Sequence, residues 1–216
     1  MAKSVDANEN DWEVITDWGV DNETTQDGKT VSNEVLLKQK ALKRIIKNNE
    51  IHFLKAKNLS DLCIKPLPNE QYRIITEKQF NAYALILHLL ETELIDEMYL
   101  AIYRINEPTV DSIIDFILSG KIKKSTFVIS NFFNQTKVPE KWADKLRDFC
   151  SKNNNCSHVY THNHSKILAI KTESNNYYIF EGSGNMSDNA RIEQYIYENN
   201  KNVFEFHKEW MAKLIE

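Results

Sequence analysis

His162, His164 and Lys166 occupy alternate positions in "HNHSKILAI", residues 162–170, just ahead of an apolar run that reads as a buried strand. Successive side chains of a strand point to opposite faces, so this alternation sets all three nitrogen-bearing groups on one face. An imidazole serves as nucleophile, proton carrier or metal ligand, and a neighbouring ammonium supplies a point charge for an anion. Further along, "EGSGNMS", residues 181–187, puts Gly182, Ser183, Gly184 and Asn185 in a small turn after a second apolar strand. Such a turn can bring backbone amides and an Asn carboxamide against an anion. Each feature also has an ordinary explanation: a strand histidine is commonly structural, an edge lysine solvated, a Gly-Ser-Gly-Asn segment simply a turn. Their joint occurrence, in this order, is what points to a site.

A metal reading competes for the same histidines. His162 and His164, with His158 and Cys156 nearby, have spacing that can set two imidazoles on one ion, but further ligands would have to come from unmarked positions. There is neither a paired-cysteine motif nor a His-Glu helix motif, and Cys63, Cys150 and Cys156 follow no zinc or redox spacing. The expectation is a site without metal or cofactor.

The elements that must carry these residues follow from the patterning. The first 34 residues hold nine acidic side chains against Lys3 and Lys29, a net of −7 within a total of −4, so residues 35–216 carry +3. Residues 1–34 are polar and without period, which reads as an acidic flexible arm; Trp12 and Trp18 leave docking of that arm open beside simple disorder. Residues 35–70 read as a basic helix and linker: "EVLLKQKALKRIIKN" sets Leu36, Leu37, Leu42, Ile45 and Ile46 near helical spacing among five basic residues, suited to phosphate or to an ordinary solvated face. From residue 71 strands and helices alternate. "YRIIT", "EMYLAIYRI" and "KSTFVISNFF" read as strands; "TEKQFNAYALILHLLE" is a helix capped by Thr76 with Gln79 in the capping box, "TVDSIIDFILSG" one closed by Gly120, and "PEKWADKLRDFCSK" one with Pro139 in its first turn. The pattern then becomes consecutive strands, "SHVYT", "HSKILAIK", "NYYIFEG" after an "ESNN" turn, and "RIEQYIYE", before a terminal amphipathic helix "NVFEFHKEWMAKLIE". This predicts an α/β layer architecture, a single domain with an N-terminal arm. No apolar run reaches the roughly 18 residues of a membrane span and no secretory signal is visible, so a reducing, cytoplasmic setting without a membrane partner is expected.

His164-x-Lys166 followed by Gly182-Ser183-x-Asn185 resembles the signature of the phospholipase D superfamily: His-x-Lys, four residues, Asp, a short spacer, then Gly-Ser-x-Asn. Lys171 stands where that pattern has its Asp. Such families carry a Glu a short way beyond the Asn, and Glu193 in "NARIEQY" is the nearest counterpart. The stretch "GSGNMSDNARIEQY" looks particularly like phospholipase D-like proteins of bacteria and their mobile elements.

The resemblance implies a mixed sheet flanked by helices over residues 71–216, and a metal-independent phosphodiesterase that forms a phosphohistidine on His164. Lys166, Asn185 and Glu193 would complete the catalytic set, with Gly182, Ser183, Gly184 and His162 binding substrate. Chemistry asks for these types: an imidazole can attack phosphorus and depart, a lysine and neutral donors hold the equatorial oxygens, and an acid protonates the leaving oxygen. The family's mechanism uses two histidines, and one His-x-Lys therefore implies a homodimer joining two His164 side chains across a two-fold axis. Nucleic acid is the expected substrate, ahead of phospholipid, because the basic helix suits a phosphate backbone and nothing resembles an interfacial helix. A binding module that has kept the phosphate pocket without turnover is the alternative.

Overall fold

The computed structural model describes residues 65–76, 81–132, 141–187 and 192–215, together with the backbone of 51–56. Among the described residues eight strands and four helices follow in chain order: β1 (Ile51–Ala56), β2 (Gln71–Thr76), α1 (Ala82–Leu90), β3 (Ile95–Ile102), α2 (Glu107–Leu118), β4 (Ser125–Ser130), α3 (Lys141–Lys152), β5 (Cys156–Thr161), β6 (Ile167–Thr172), β7 (Tyr177–Gly182), β8 (Glu193–Asn199) and α4 (Lys201–Lys213). The strands form one eight-stranded sheet in the order β1-β2-β8-β7-β6-β3-β4-β5. β1 and β2 are parallel, as are β3, β4 and β5, while β6 and β8 run against their neighbours.

Helices cover both faces, and the alternation of the strands sorts their side chains accordingly. On one face Met98, Leu100, Phe127, Ile129, Leu168, Ile170 and Phe180 pack with Leu85, Ile86, Ile113, Ile117, Trp142 and Leu146 from α1, α2 and α3. The intervening residues Tyr99, Ala101, Val128, Ala169 and Ile179 form the other face with Phe204 and Met211 of α4. Burial on both faces explains why these central strands read as apolar runs. The expected mixed α/β sheet flanked by helices is thus the observed architecture. Among the described residues no helix is long and apolar enough to cross a membrane.

Several local expectations change. Thr76 ends β2 instead of capping a helix: it pairs with Glu193 in the β2–β8 register, and its Oγ1 donates to the Glu193 carbonyl at 3.4 Å. The cap of α1 is Asn81, whose side chain accepts from Tyr83 N at 3.0 Å; Asn106 and Asn200 cap α2 and α4 in the same manner. α2 ends as expected, with Gly120 at φ 75° and its N–H on Ile117 O at 3.1 Å. β6 begins at Ile167, so His164 and Lys166 precede the strand. β1 lies within the segment read as helix and linker. Cys150 and Cys156 are disulfide-bonded across the α3–β5 turn, a bond that oxidising settings favour and the spacing did not announce. The acidic arm, the basic helix at 34–48, Gln79 and Pro139 lie outside the described residues.

Candidate active site

The carboxyl ends of β3, β4, β5 and β7 and the amino ends of β6 and β8 lie along one edge of the sheet, as their registers require. Sites in open α/β sheets favour such an edge. Here the chain between β5 and β6 crosses it as an irregular segment, and one residue fixes its path. Asn163 Nδ2 donates to Ile102 O at 3.2 Å and Val128 O at 2.9 Å, the carbonyls of two adjacent strands, while its Oδ1 accepts from Ser165 N at 2.9 Å and from Ser165 Oγ. Using both ends of one amide removes the freedom an unpaired loop would have.

On this tether, His164 packs against Tyr103 with ring centroids 4.6 Å apart and planes at 44°. Lys166 Nζ lies 3.4 Å from His164 Nδ1, donates to His164 O at 3.0 Å, and stands 5.7 Å from the Tyr103 ring centroid. His162 shares the adjoining cavity with His164. The three nitrogen-bearing groups therefore do gather, but on an irregular segment instead of a strand face. Partial burial pulls the Lys166 pKa below the ordinary lysine value, against the opposing field of the Glu193 carboxylate. A cation so placed has given up part of its hydration and remains open to an anion.

The glycine turn is tied on both sides. Gly182 N donates to Lys166 O at 3.2 Å, which links the two motif halves directly. Ser183 N donates to Gln194 O at 3.0 Å, Gln194 N to Ser183 Oγ at 3.1 Å, and Ser183 Oγ in turn to Glu193 Oε2. Asn185 Oδ1 accepts from Arg104 N at 3.1 Å, and Met186 N donates to Arg104 O at 3.1 Å. That bond orients the Asn185 amide, so Nδ2 is the end it can offer to an anion. Gly184 is demanded by the Tyr195 ring, which stacks on Phe180 at 4.5 Å, and Gly182 by the Gln194 carbonyl together with that ring. A Cβ at Gly182 would lie 2.2 Å from Gln194 O, and one at Gly184 1.8 Å from Tyr195 Oη.

Glu193 is buried at the start of β8. Ser183 Oγ is one of its partners, so it acts on the turn and, through charge, on Lys166. Lys171 lies toward the far end of β6, opposite Glu97 in register, with Nζ 3.8 Å from Asp96 Oδ2. Five strand positions separate it from Lys166, about 16 Å. The residue that breaks the motif is thus remote from Lys166 and His164. Glu181, next to the glycine turn, pairs with His207 Nε2 at 2.5 Å.

A cavity of about 390 Å³ opens beside His164, lined by Tyr103, Ser130, Asn131, Phe132, His162 and Asn163. Tyr103, Asn163 and Tyr195 were not singled out by sequence. The signal for Tyr103 is its place directly after the apolar run of β3, at a carboxyl strand end. Among the described residues no group of three or more His, Cys, Asp or Glu is placed to hold a metal, and the Cys156 sulfur is in the disulfide.

No family model matches the sequence, and no curated protein matches it. Solved structures do. Nuc from Salmonella typhimurium is 12% identical, with 67% of this chain covering 93% of that one at a TM-score of 0.47. The chain is similar in fold to a phospholipase D family member. Phosphatidylserine synthase from Haemophilus influenzae is 11% identical over 66% of this chain and 38% of that, with a TM-score of 0.44. A yeast tyrosyl-DNA phosphodiesterase is 13% identical over 58% of this chain and 31% of that, at 0.34. Nuc is thus matched over nearly its whole length, whereas the chain spans about a third of the other two.

Proposed function

We propose that this protein is a phospholipase D-type phosphodiesterase that cleaves nucleic acid through His164, without a metal. The observation that carries the reading is the meeting of His164, Lys166 and the Gly182–Asn185 turn at one sheet edge, joined by the Gly182 N to Lys166 O bond. The Lys166 ammonium and Asn185 Nδ2 would hold the nonbridging oxygens, where charge builds in the transition state. His164 Nε2 attacks phosphorus, the P–O bond to the leaving oxygen breaks, and that oxygen takes a proton from a second histidine. Water then displaces the imidazole, giving its proton back to that histidine.

For Nε2 to attack, the imidazole proton must sit on Nδ1. The Lys166 contact at 3.4 Å favours the other tautomer. A bound phosphate competes for the ammonium, draws it off Nδ1, and so readies the nucleophile only when substrate is present. With one motif per chain, the second histidine is His164 of another copy, which makes the active species a homodimer. The binding-module reading draws on the same tautomer: if Lys166 never leaves Nδ1, phosphate binds without turnover.

The test is cleavage of labelled single- and double-stranded oligonucleotides in excess chelator. Chelator-resistant product supports the proposal; product that disappears with chelator, or binding with no product, overturns it.

Two further results are expected. Because burial lowers the Lys166 pKa, the cation needed for phosphate is lost as pH rises through that lowered value, so kcat/KM falls at a pH below the ordinary 10.5 of lysine. Lys166→Arg, which keeps its charge, shifts this alkaline limb upward. The same shift means the unfolded chain holds the proton more tightly than the folded one, so the Lys166 contribution to stability rises with pH across that window. Unfolding on account of Lys166 therefore cannot mimic the loss; an unmoved limb in Lys166→Arg would count against the assignment.

Lys171→Asp, which completes the sequence motif, should not activate the enzyme. It sets a carboxylate beside Asp96 and opposite Glu97, costing about 0.2–1 kcal/mol in a urea melt. Cleavage should stay within a factor of about three, since the change lies about 16 Å along the strand from Lys166. A large gain in rate would show that the motif Asp has a direct part.

A further inference from the structure

We infer that Phe132 and Tyr103 form a stacking platform for an unpaired base next to the scissile phosphate, which makes single-stranded nucleic acid the preferred substrate. The inference rests on the phosphodiesterase reading above and deepens it. Phe132 is 55% exposed although large and apolar, and it lies on the wall of the cavity that also holds His162 and His164. Its backbone is held by Phe132 N donating to Ser130 Oγ at 3.3 Å. Scattered exposed apolar residues are ordinary on a protein surface. This one continues a ring series that ends on the reacting imidazole: Phe132 to Tyr103 is 6.2 Å between centroids at 31°, and Tyr103 to His164 is 4.6 Å at 44°.

The spacing selects how a base would sit. Inserting one between Phe132 and Tyr103 needs two stacking steps of roughly 3.4 Å each, more than the 6.2 Å present. The base therefore caps the exposed Phe132 ring instead of intercalating. Asn131 and Ser130 beside it offer neutral hydrogen bonds to a base edge, while His164 and Lys166, both against the Tyr103 ring, take the phosphate. A paired base has both faces covered by its neighbours, whereas every unpaired base has a free face to stack. An acyl chain would also cover an apolar ring, but it would gain nothing from planarity or from the amide and hydroxyl groups at its edge.

The experiment measures equilibrium binding by the full chain carrying His164→Ala, so that no substrate is consumed. Ligands are a fluorescent single strand, the same strand with abasic positions, its duplex, and vesicles of anionic phospholipid. The intact strand should bind more tightly than the abasic strand and the duplex. Phe132→Ala should shrink the intact-to-abasic ratio by roughly 5- to 150-fold, and Phe132→Trp should keep it. An unchanged ratio in Phe132→Ala, while wild-type protein still cleaves nucleic acid, overturns the platform and leaves the phosphodiesterase reading standing. Binding to vesicles with none to any oligonucleotide, and no cleavage of oligonucleotides by wild type, overturns both.

Discussion

Replacing His164 with alanine should abolish chelator-resistant cleavage, by on the order of 10⁴- to 10⁶-fold, while oligonucleotide affinity changes little. The size follows from the role: losing a covalent nucleophile removes the whole reaction path and leaves only the background that positioning and electrostatics provide. Lys166→Ala, which deletes charge stabilisation but spares the path, should cost about 10²- to 10³-fold. The imidazole packs on Tyr103 and its segment is pinned by Asn163, so losing the exposed ring leaves the fold intact. Two measurements separate this from a structural effect. Rapid quench of wild type in alkaline denaturant with end-labelled DNA strand should trap an alkali-stable, acid-labile phosphohistidine that the variant lacks. Mixing wild type with His164→Ala under exchanging conditions should give activity that falls as the square of the wild-type fraction, since a productive site needs both histidines. A linear fall would sink the shared site, and cleavage surviving in pure His164→Ala would sink the histidine mechanism.

How far the sequence leads depends on whether the deciding contacts are local. β3, β4, β6 and β7 are visible because their runs are buried on both faces, and Gly120 and the "ESNN" turn declare themselves through left-handed backbone at Gly120 and Asn175. The site motif is visible for a different reason: anion chemistry restricts the residue types more than the fold does. What fails is what long-range pairing decides. Thr76 and Gln79 make a plausible capping box, yet pairing with β8 claims Thr76 for a strand and leaves the cap to Asn81. "IHFLKA" becomes an edge strand only because β2 is there to pair with it. Asn163 resembles any loop asparagine until β3 and β4 set two carbonyls in front of its amide. The place of Lys171 is likewise legible only in three dimensions, where Asp96 and Glu97 give the lysine acidic neighbours five strand positions from Lys166.

Gly182→Ala and Gly184→Ala should both damage the protein, and they should differ in whether a second change repairs them. At Gly182 a methyl group would meet the Gln194 carbonyl oxygen at 2.2 Å and the Tyr195 ring carbon at 2.3 Å. That carbonyl accepts from Ser183 N, so the β7–β8 ladder must part at its end, and the Ser183–Glu193 latch goes with it. Overpacking against backbone costs about 1–3 kcal/mol or somewhat more. Because Gly182 N also holds Lys166 O, the lysine is displaced, and a misplacement near 1 Å lowers turnover by about 10²-fold. At Gly184 the obstacle is the far end of a side chain, Tyr195 Oη at 1.8 Å, with the ring carbon behind it at 2.7 Å. Tyr195→Phe removes the nearer atom and leaves the stack on Phe180 in place. In urea melts the Tyr195→Phe/Gly184→Ala pair should recover at least half of the stability lost by Gly184→Ala alone, whereas Tyr195→Phe should give Gly182→Ala almost nothing. Equal rescue of both would mean that ring crowding, not the β7–β8 backbone, sets the demand for glycine at 182, and that the turn reaches the phosphate site by a different geometry.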